Sequence, residues 1–462
     1  MASIPTSKEA LGTAPITPLM IKLIIPAMMA QLINLLYSIV DRYYISQIPD
    51  IGEMALTGVG VASPVLVVVA AFASFAGTGS APLASMAMGA QDNDRAEAIL
   101  GNAFAMILVF SVGLTLFFTR YSEPVLYAFG ASDQSIAYAM EYTNIYVLGT
   151  IFVLIALGLN PFISAQGQAK IAMLSVSIGA VVNIILDYLF IIHWNWGVKG
   201  AAVATLIAQA CSGAWVLLFL CGKTAQLPLK KKYIRFTPHI LKPALALGIA
   251  PFIMHSTESL ITISLNRNLQ TYGELVFAEG GDLYVGVMTI QQSVSLMIAL
   301  PRTAMSSGTQ PILGYNFGAK NYQRVREAFW KLIISSTIFS AISCLFVVTF
   351  PTLLSGIFTD DPRWLEISAQ TMPIFFAGTW ALGAQNSCQT TFLAMGQAKT
   401  SLFLAMLRKI ILLAPLAYIL PYLTGNVLSI FLAVPIADIL TASVTFSVFL
   451  YRRKTLLPQE DK

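Results

Sequence analysis

Charged side chains are scarce in this sequence, at 11% of its 462 residues. Soluble domains carry about 25%, so a fold that presents a charged surface to water on all sides is excluded. Hydrophobic residues make up 56% of the chain, and the mean hydropathy is +0.74. The composition therefore predicts a polytopic membrane protein.

Cysteine and histidine are also few, and they lie far apart in the sequence. The four cysteines and three histidines show no ligand spacing, so neither a disulfide framework nor a zinc site is indicated. The net charge is +5, but the basic residues lie between apolar runs, where such residues orient a membrane protein. We therefore expect no nucleic-acid partner. The polar stretch 1–13 leads into an apolar segment too long for a signal peptide, and we expect none.

Apolar runs of about 20 residues, the length that spans a bilayer, recur along the whole chain. They form two groups of six, separated by the basic stretch 223–238. We therefore expect an all-α polytopic membrane protein with twelve transmembrane helices in two six-helix lobes, residues 1–222 and 239–462, joined by a cytoplasmic linker. The predicted spans are 17–46, 57–88, 96–119, 136–160, 170–193, 200–222, 240–270, 284–313, 325–351, 366–392, 400–422 and 427–450.

Basic and acidic residues separate to opposite sides of this arrangement. The linker contains three lysines at 230–232 and Arg235, and its side also holds Arg324, whereas Glu123 and Asp282 lie on the other side. An excess of Lys and Arg marks the cytoplasmic side. The pattern predicts a multi-pass protein of the inner (plasma) membrane with both termini in the cytoplasm.

Sequence matches at one constant shift relate the two halves. Gly89 and Gly318 each open a short loop that leads to an arginine, and they are 229 residues apart (318 − 89 = 229). Segments 165–170 and 394–399 share a Gly-Gln-Ala-Lys motif at the same shift. Six spans per half make the repeat parallel, about an axis along the membrane normal. Transporters commonly place their pathway at such a repeat interface.

Polar side chains inside the first six spans converge at one depth. Asp41 lies in the outer part of the first span, and Asp187 reaches a similar level on the fifth, at about 1.5 Å per helical residue. Tyr37, Asn183 and Thr205 fall in the same outer half. Acids inside a membrane are costly and mark functional sites by default. These five side chains are our candidate cation or proton site.

The chemistry of this cluster leaves two coupling ions open. Two nearby carboxylates in a low dielectric cannot both stay charged without a cation or a proton. Carboxylate and amide oxygens are natural ligands of hard cations, so Na+ at Asp41, Asn183 and Asp187 is one interpretation and H+ is the other. The alternative is that each polar group makes a structural hydrogen bond.

The repeat argues for a functional role of the cluster. At the 229-residue shift Asn183 and Asp187 correspond to leucines. The first spans of the two halves align on Pro26 and Pro251, at a shift of 225 (251 − 26 = 225), which pairs Asp41 with Asn266. A purely architectural network would more plausibly persist in both halves. We therefore assign the cation chemistry to the first half.

The second half carries its own polar groups. Arg408 and Asp438 lie at matching depths on the last two spans, and we predict a structural ion pair between them. Arg302 is near enough to the cytoplasmic end to snorkel there. Glu258 is a candidate second cation or substrate site, and its alternative is a structural hydrogen bond. The further members of this candidate site, with the amides expected to face a wet cavity, are His255, Gln292, Gln385, Asn386 and Gln389.

Five sequence motifs are spread over nearly the whole chain. They are Pro26 with VDRYYIS at 40–46, the segment 77–90, WGVKGAAVAT at 196–205, QPILGYNFGA at 310–319, and Arg408 with Pro415. Together they resemble the multidrug and toxic compound extrusion (MATE) family of antiporters. The resemblance implies two six-helix lobes around a V-shaped central cavity that alternates between the two faces of the membrane, with Na+ or H+ entering as drug leaves.

The resemblance also implies roles for individual residues. The N-lobe cation site of the family matches the five residues Tyr37, Asp41, Asn183, Asp187 and Thr205. The helix that contains Pro26 is expected to change its bend during the cycle. Some members have a C-lobe cation site, and Glu258 matches its first acid, but 371–397 contains no second acid. This departure favours coupling in the N-lobe.

We therefore predict a secondary active multidrug efflux transporter, a monomer that exchanges lipophilic or cationic small molecules from cytosol or membrane lipid for H+ or Na+. The alternative is a lipid-linked saccharide flippase of related fold, which would need a more cationic cavity; Arg42, Arg267 and Arg302 are the candidates for it. A membrane-embedded enzyme is weaker, because the adjacent acids Asp360 and Asp361 fit a solvated turn. We expect no enzymatic activity and no cofactor.

Overall fold

The computed structural model of the protein describes residues 8–49, 51–276 and 280–458, without the side chains of residues 8, 9, 53 and 258–260. The described chain is a succession of helices, which satisfy their backbone polar groups internally, as a bilayer requires. The helices of the first half are α1 Lys8–Thr13, α2 Ile16–Ser46, α3 Gly52–Gly89, α4 Asn93–Ala128, α5 Ile136–Leu148, α6 Thr150–Ala165, α7 Ala169–Asp187 and α8 Gly197–Cys221.

The second half repeats this succession. A π-helical turn extends α7 in the first half (Tyr188–His193), and another joins two helices of the second half (Leu407–Leu413). The helices of the second half are α9 Pro238–Glu274, α10 Gly280–Gly318, α11 Tyr322–Thr349, α12 Pro351–Ser355, α13 Pro362–Phe376, α14 Leu382–Ala394, α15 Ala398–Met406, α16 Ala414–Thr424 and α17 Leu428–Leu456.

The predicted all-α polytopic fold is confirmed, with two of the expected spans broken. Ten helices of the described chain are long and apolar enough to cross a membrane, and α5 with α6, bent by 61°, give an eleventh. That bend falls at Gly149. The tenth expected span, 366–392, is divided into α13 and α14 around Gly378, 229 residues further on. Glycine is a poor helix former, and apolar runs that continue through it hide both breaks.

The internal repeat extends to the backbone. Asp92 Oδ1 accepts the N–H of the residue three positions on at 3.0 Å, and Asn321 Oδ1 does the same at 3.3 Å, so α4 and α11 begin with equivalent caps. Gly167 and Gly396 have φ angles of 76° and 71°, in the region that favours glycine. All of these pairs keep the 229-residue shift.

The two halves contact each other at the end of the bundle that carries residues 223–237, which we call the linker end. There Gly89 lies against the backbone carbonyl of Tyr315, and Gly318 lies against that of Met86. Both contacts are so close that a Cβ atom at either glycine would overlap the facing backbone. Towards the other end, the second half has a hydrophobic core of its own. The halves are thus joined at one end, in the V-shaped arrangement that the family resemblance implies.

The linker rests on the first half. Lys230 Nζ is 2.7 Å from Glu97 Oε1, and the backbone N–H of Thr237 donates to Asn102 Oδ1 at 2.7 Å. Glu97 and Asn102 are both buried in α4. Two more hydrogen bonds join the linker to the same half: Tyr233 to Asp94 (2.6 Å) and Leu227 to Gln166 (2.9 Å).

The short helix α1 rests on the second half instead. Arg324 Nη2 donates to the carbonyl of Ala14 at 2.6 Å, and Asn316 Nδ2 donates to that of Leu11 at 2.9 Å. These donors satisfy carbonyls that the end of α1 leaves without helical partners. The segment before the first span is therefore held across the boundary between the halves.

Candidate functional site

The structure brings all five residues of the predicted first-half cluster together. Asn183 Nδ2 lies 3.4 Å from Asp187 Oδ1 and 3.5 Å from Thr205 Oγ1. The carboxyl groups of Asp41 and Asp187 are close enough to interact directly, and Tyr37 lies within electrostatic range of both. The helices α2, α7 and α8 thus meet at one polar point.

Local helix geometry explains this convergence. Asn183 and Asp187 are four residues apart in α7, so they share one face. The π-helical turn starts directly after Asp187, and such turns are frequent at functional sites. Asn183, Asp187 and Thr205 are 1%, 0% and 4% exposed. The three side chains are therefore removed from bulk water.

Three buried oxygen atoms in the cluster lack a hydrogen-bond partner within the described part of the chain: Asp41 Oδ1, Asp187 Oδ2 and Asn183 Oδ1. An unsatisfied buried polar atom costs about 1–3 kcal/mol, and more if it is charged. Two carboxylates, an amide oxygen and a hydroxyl form a donor set that suits Na+. A proton shared by the two acids would relieve the same repulsion. The cluster fits either ion.

Two tyrosines that the sequence reasoning missed complete the cluster. The hydroxyl of Tyr142 lies 3.5 Å from Thr205 Oγ1, and the ring of Tyr146 lies 6.2 Å from that of Tyr142. Both are buried in α5. Their i, i+4 spacing in the fourth span was a usable signal, because a buried phenol requires a polar partner.

A cavity of about 360 Å³ adjoins the cluster, with walls mainly from the first half and a part contributed by α10 of the second half. Tyr37, Asn183 and Thr205 form part of its wall, so the candidate ion site borders the cavity. The other amides of the wall, which were not predicted from the sequence as site residues, are Gln31, Asn34, Asn160, Gln209 and Gln310. A cavity with apolar walls and a few polar groups is the usual form of a small-molecule site.

Pro26 is buried in α2, one residue before Ala27 of the cavity wall. The helix runs through Pro26 from Ile16 to Ser46 without a break. Its predicted role as a bending point stays a prediction.

The amides of the tenth predicted span make local contacts. Gln389 Nε2 donates to the backbone carbonyl and the hydroxyl of Ser401, both at 2.9 Å. Asn386 Nδ2 donates to Ser306 Oγ at 2.8 Å, and Gln385 is buried. Gln389 and Asn386 therefore tie α14 to its neighbours α15 and α10.

The other members of the predicted second site are dispersed. Gln292 lines a separate cavity in the second half, whereas His255 is exposed. The side chain of Glu258 lies outside the described residues. Arg408 Nε lies 2.7 Å from Asp438 Oδ1, the ion pair proposed from their depths. The structure thus joins Arg408 with Asp438, and it does not gather the described members of the second site into one cluster.

Comparison with known proteins gives consistent matches over almost the full length. The family model described as MatE matches residues 26–189 and 268–419, more than half of the chain. A multidrug export protein MepA of Staphylococcus haemolyticus (strain JCSC1435) is 22% identical over 427 residues, 92% of each protein.

Solved structures show the same fold. A crystal structure of MATE in complex with MaD3S has a TM-score of 0.87 and 21% identity, with 99% of each chain covered. The outward-facing conformation of a multidrug resistance MATE family transporter of the MOP superfamily has a TM-score of 0.86 and 21% identity, covering 95% of this chain and 96% of that one.

Proposed function

The chain belongs to the MatE family of multi-pass membrane proteins, and from that premise we propose that it is a secondary active multidrug efflux transporter. It exports lipophilic or cationic small molecules in exchange for H+ or Na+. The MepA relative, named a multidrug export protein, supports this proposal. The observation that carries the ion coupling is the set of three buried, unpartnered oxygens on Asp41, Asn183 and Asp187.

In this proposal the two acids are the ion carriers. With the ion absent, the carboxylates of Asp41 and Asp187 repel each other across a buried contact, and a cation or proton removes that repulsion. Asn183 and Thr205 add neutral oxygens, and Asn183 donates both to Asp187 and to Thr205. The ion therefore favours the arrangement of α2, α7 and α8 in which these side chains meet.

Exchange follows if ion and drug favour different conformations. Tyr37, Asn183 and Thr205 belong both to the ion cluster and to the cavity wall, so binding of an ion changes the surface that a drug would contact. A change of bend in α2 near Pro26 would transmit the change along the cavity. Coupling needs no more than this difference in affinity, because linkage makes it reciprocal.

We place the protein in the inner (plasma) membrane of the cell, with the linker end and both termini in the cytoplasm. The excess of Lys and Arg in the loops at that end supports this orientation. With the halves in contact at that end, the described conformation faces outward. We expect the transporter to work as a monomer and to leave its substrates chemically unchanged.

Dye transport in proteoliposomes tests the proposal. The purified protein is reconstituted and uptake or release of a fluorescent organic cation is followed under separately imposed Na+ and H+ gradients. We expect one gradient to drive transport in the wild type, and Asp41→Asn to abolish the gradient dependence because it removes one of the two carboxylates.

Asp360→Asn is the matched control, since it removes an exposed acid far from the cluster. It should transport like the wild type. Unchanged, gradient-driven transport by Asp41→Asn would contradict the coupling role of Asp41. Equal rates with and without either gradient would contradict antiport.

A further inference from the structure

A second cavity, of about 470 Å³, lies inside the second half and has a basic wall. It is formed by α9, α10, α13, α17 and the π-helical turn at Leu407–Leu413. Its charged lining residues are Arg302, Arg408, Lys409 and Asp438. This cavity is separate from the 360 Å³ cavity that borders the ion cluster.

Arg302 has a buried hydrogen-bond donor without an acceptor among the described residues. Its Nη1 atom is buried and has no hydrogen-bond partner among the residues that the structure describes. The sequence suggested that this arginine snorkels to the end of its helix, but the structure places it in the cavity wall. A guanidinium group carries five N–H donors and matches carboxylate or phosphate oxygens.

Three further charged side chains line the cavity with Arg302. Arg408 Nε and Asp438 Oδ1, at 2.7 Å, form an ion pair. Lys409 is 7% exposed and donates to the backbone carbonyl of Met254 at 2.7 Å. Among the described lining residues there are thus three basic side chains and one acidic side chain.

The repeat shows that the basic residues replace neutral ones. At the 229-residue shift Arg408 and Lys409 correspond to Gly179 and Ala180, which line the cavity of the first half. Asp438 corresponds to Gln209 of the same wall. The two cavities therefore occupy equivalent places in the two halves, and the second one has become cationic.

Apolar side chains form the rest of the wall. They come from α9, α10, α13 and α17 and include Leu265, Leu296, Phe375, Phe376 and Val434. Ligand cavities of about 300–1,000 Å³ with apolar walls and a few polar groups hold organic molecules. Inorganic anions would leave this apolar surface without a partner.

We propose that the cavity of the second half binds an amphipathic organic anion, with its carboxylate or phosphate group against Arg302 and Lys409 and its hydrocarbon part along the apolar wall. The anion supplies the acceptor that Arg302 Nη1 lacks and offsets the positive charge of that guanidinium group. This site is independent of the proposed cation exchange, and its test measures binding without transport.

The experiment compares two probes of equal chain length and opposite charge, octanoate and octyltrimethylammonium. Binding to the full-length protein in phosphatidylcholine nanodiscs is followed by isothermal titration calorimetry, with empty nanodiscs subtracted. We expect saturable octanoate binding, and Arg302→Gln and Lys409→Gln should each weaken it at least about tenfold, since each removes a charge that faces the anion. Arg302→Lys keeps the charge and should retain most of the affinity.

Lys399→Gln is the matched control, because Lys399 is exposed at the start of α15 and should leave the affinity unchanged. Size-exclusion profiles establish that each variant is folded. Equal octanoate affinity in the wild type and in folded Arg302→Gln would overturn the proposal. Displacement of octanoate from the wild type by octyltrimethylammonium would also overturn the proposal.

Two further arms identify the source of the anion. Displacement of octanoate by nanodiscs that contain phosphatidylglycerol supports the site with a lipid phosphate as occupant. Saturable, Arg302-dependent octanoate binding that phosphatidylglycerol leaves unchanged supports it with a soluble carboxylate. Displacement by inorganic phosphate alone, at equal potency to octanoate, would overturn the amphipathic part of the proposal.

Discussion

At the scale of single residues, the ion cluster depends on the rotation of α5 around its axis. Packing between helices fixes that rotation and turns the Tyr142 hydroxyl to Thr205, at 3.5 Å. Thr205 in turn accepts from Asn183, so α5 contacts the cluster through a hydroxyl pair.

Gly396 provides a prediction at the same scale. Its φ of 71° penalises any residue with a Cβ atom, so Gly396→Ala should lower the free energy of unfolding by about 1–2 kcal/mol. A Cβ there would also lie 3.0 Å from Met86 Cε, the flexible tip of a side chain that can shift. A lower thermal midpoint, measured in detergent, is the expected result.

Gly113→Ala serves as the control for this substitution. Gly113 lies inside α4 with open space around its Cβ position, so alanine should stabilise the helix by up to about 1 kcal/mol. Equal midpoints for the two variants would contradict the role assigned to the backbone angle of Gly396.

At the scale of elements, the ion pair of Arg408 and Asp438 joins a π-helical turn to α17. Asp438 is 2% exposed, so Arg408→Met leaves a buried carboxylate without its closest partner. We expect a loss of about 2–3 kcal/mol in the free energy of unfolding. The double variant Arg408→Met/Asp438→Leu should recover most of it, since neither charge remains.

An exposed ion pair gives the comparison. Arg363 Nη2 lies 3.3 Å from Asp361 Oδ2 at the start of α13, and Arg363→Met should change stability by less than about 1 kcal/mol. Thermal unfolding of the four proteins measures all of these differences. A double variant that is no more stable than Arg408→Met would contradict the buried-charge explanation.

Depth along the apolar spans was enough to predict that Asp41, Asn183 and Asp187 lie together, and the structure brings them together. Tyr142 was missed because depth gives no information about the rotation of α5 around its axis.

The sequence also predicted where most helices lie, but it did not predict where they are broken. The apolar runs through Gly149 and Gly378 have no interruption in hydropathy, so each was read as one span. The π-helical turn after Asp187 was equally hidden, because its sequence is as apolar as the helix before it. Such irregularities depend on the neighbours that satisfy the freed backbone groups.

At the scale of the molecule, two glycine contacts control how closely the two halves approach: Gly89 against the backbone of Tyr315 and Gly318 against the backbone of Met86. A leucine at position 318 would overlap the backbone of Met86, so Gly318→Leu should separate the halves at the linker end. The repeat predicted that the two glycines are equivalent. It could not predict that they meet, because a two-lobed transporter has at least one other arrangement in which this end is open.

Distances between spin labels measure that separation. Lys170→Cys and Lys399→Cys place labels at equivalent positions of the two halves, after replacement of Cys211, Cys221, Cys344 and Cys388. We expect Gly318→Leu to move population to longer distances and Gly113→Leu to leave the distribution as it is. An unchanged distance distribution in Gly318→Leu would show that the contact of Gly318 with Met86 does not limit how closely the two halves approach at the linker end.

The position of the linker bears on how such a chain could have arisen. The hydrogen bonds and ion pairs described for the linker are made with the first half. A cut between Lys230 and Arg235 would therefore preserve the backbone contacts of Gly89 and Gly318 and the hydrogen bond from Arg324 to the end of α1. Two separate polypeptides should then assemble when expressed together. An ancestral six-span unit could pair with its own copy in the same way, since each copy supplies one glycine. Gene fusion would then have been a late step, which freed one copy to keep its acids and the other to become basic.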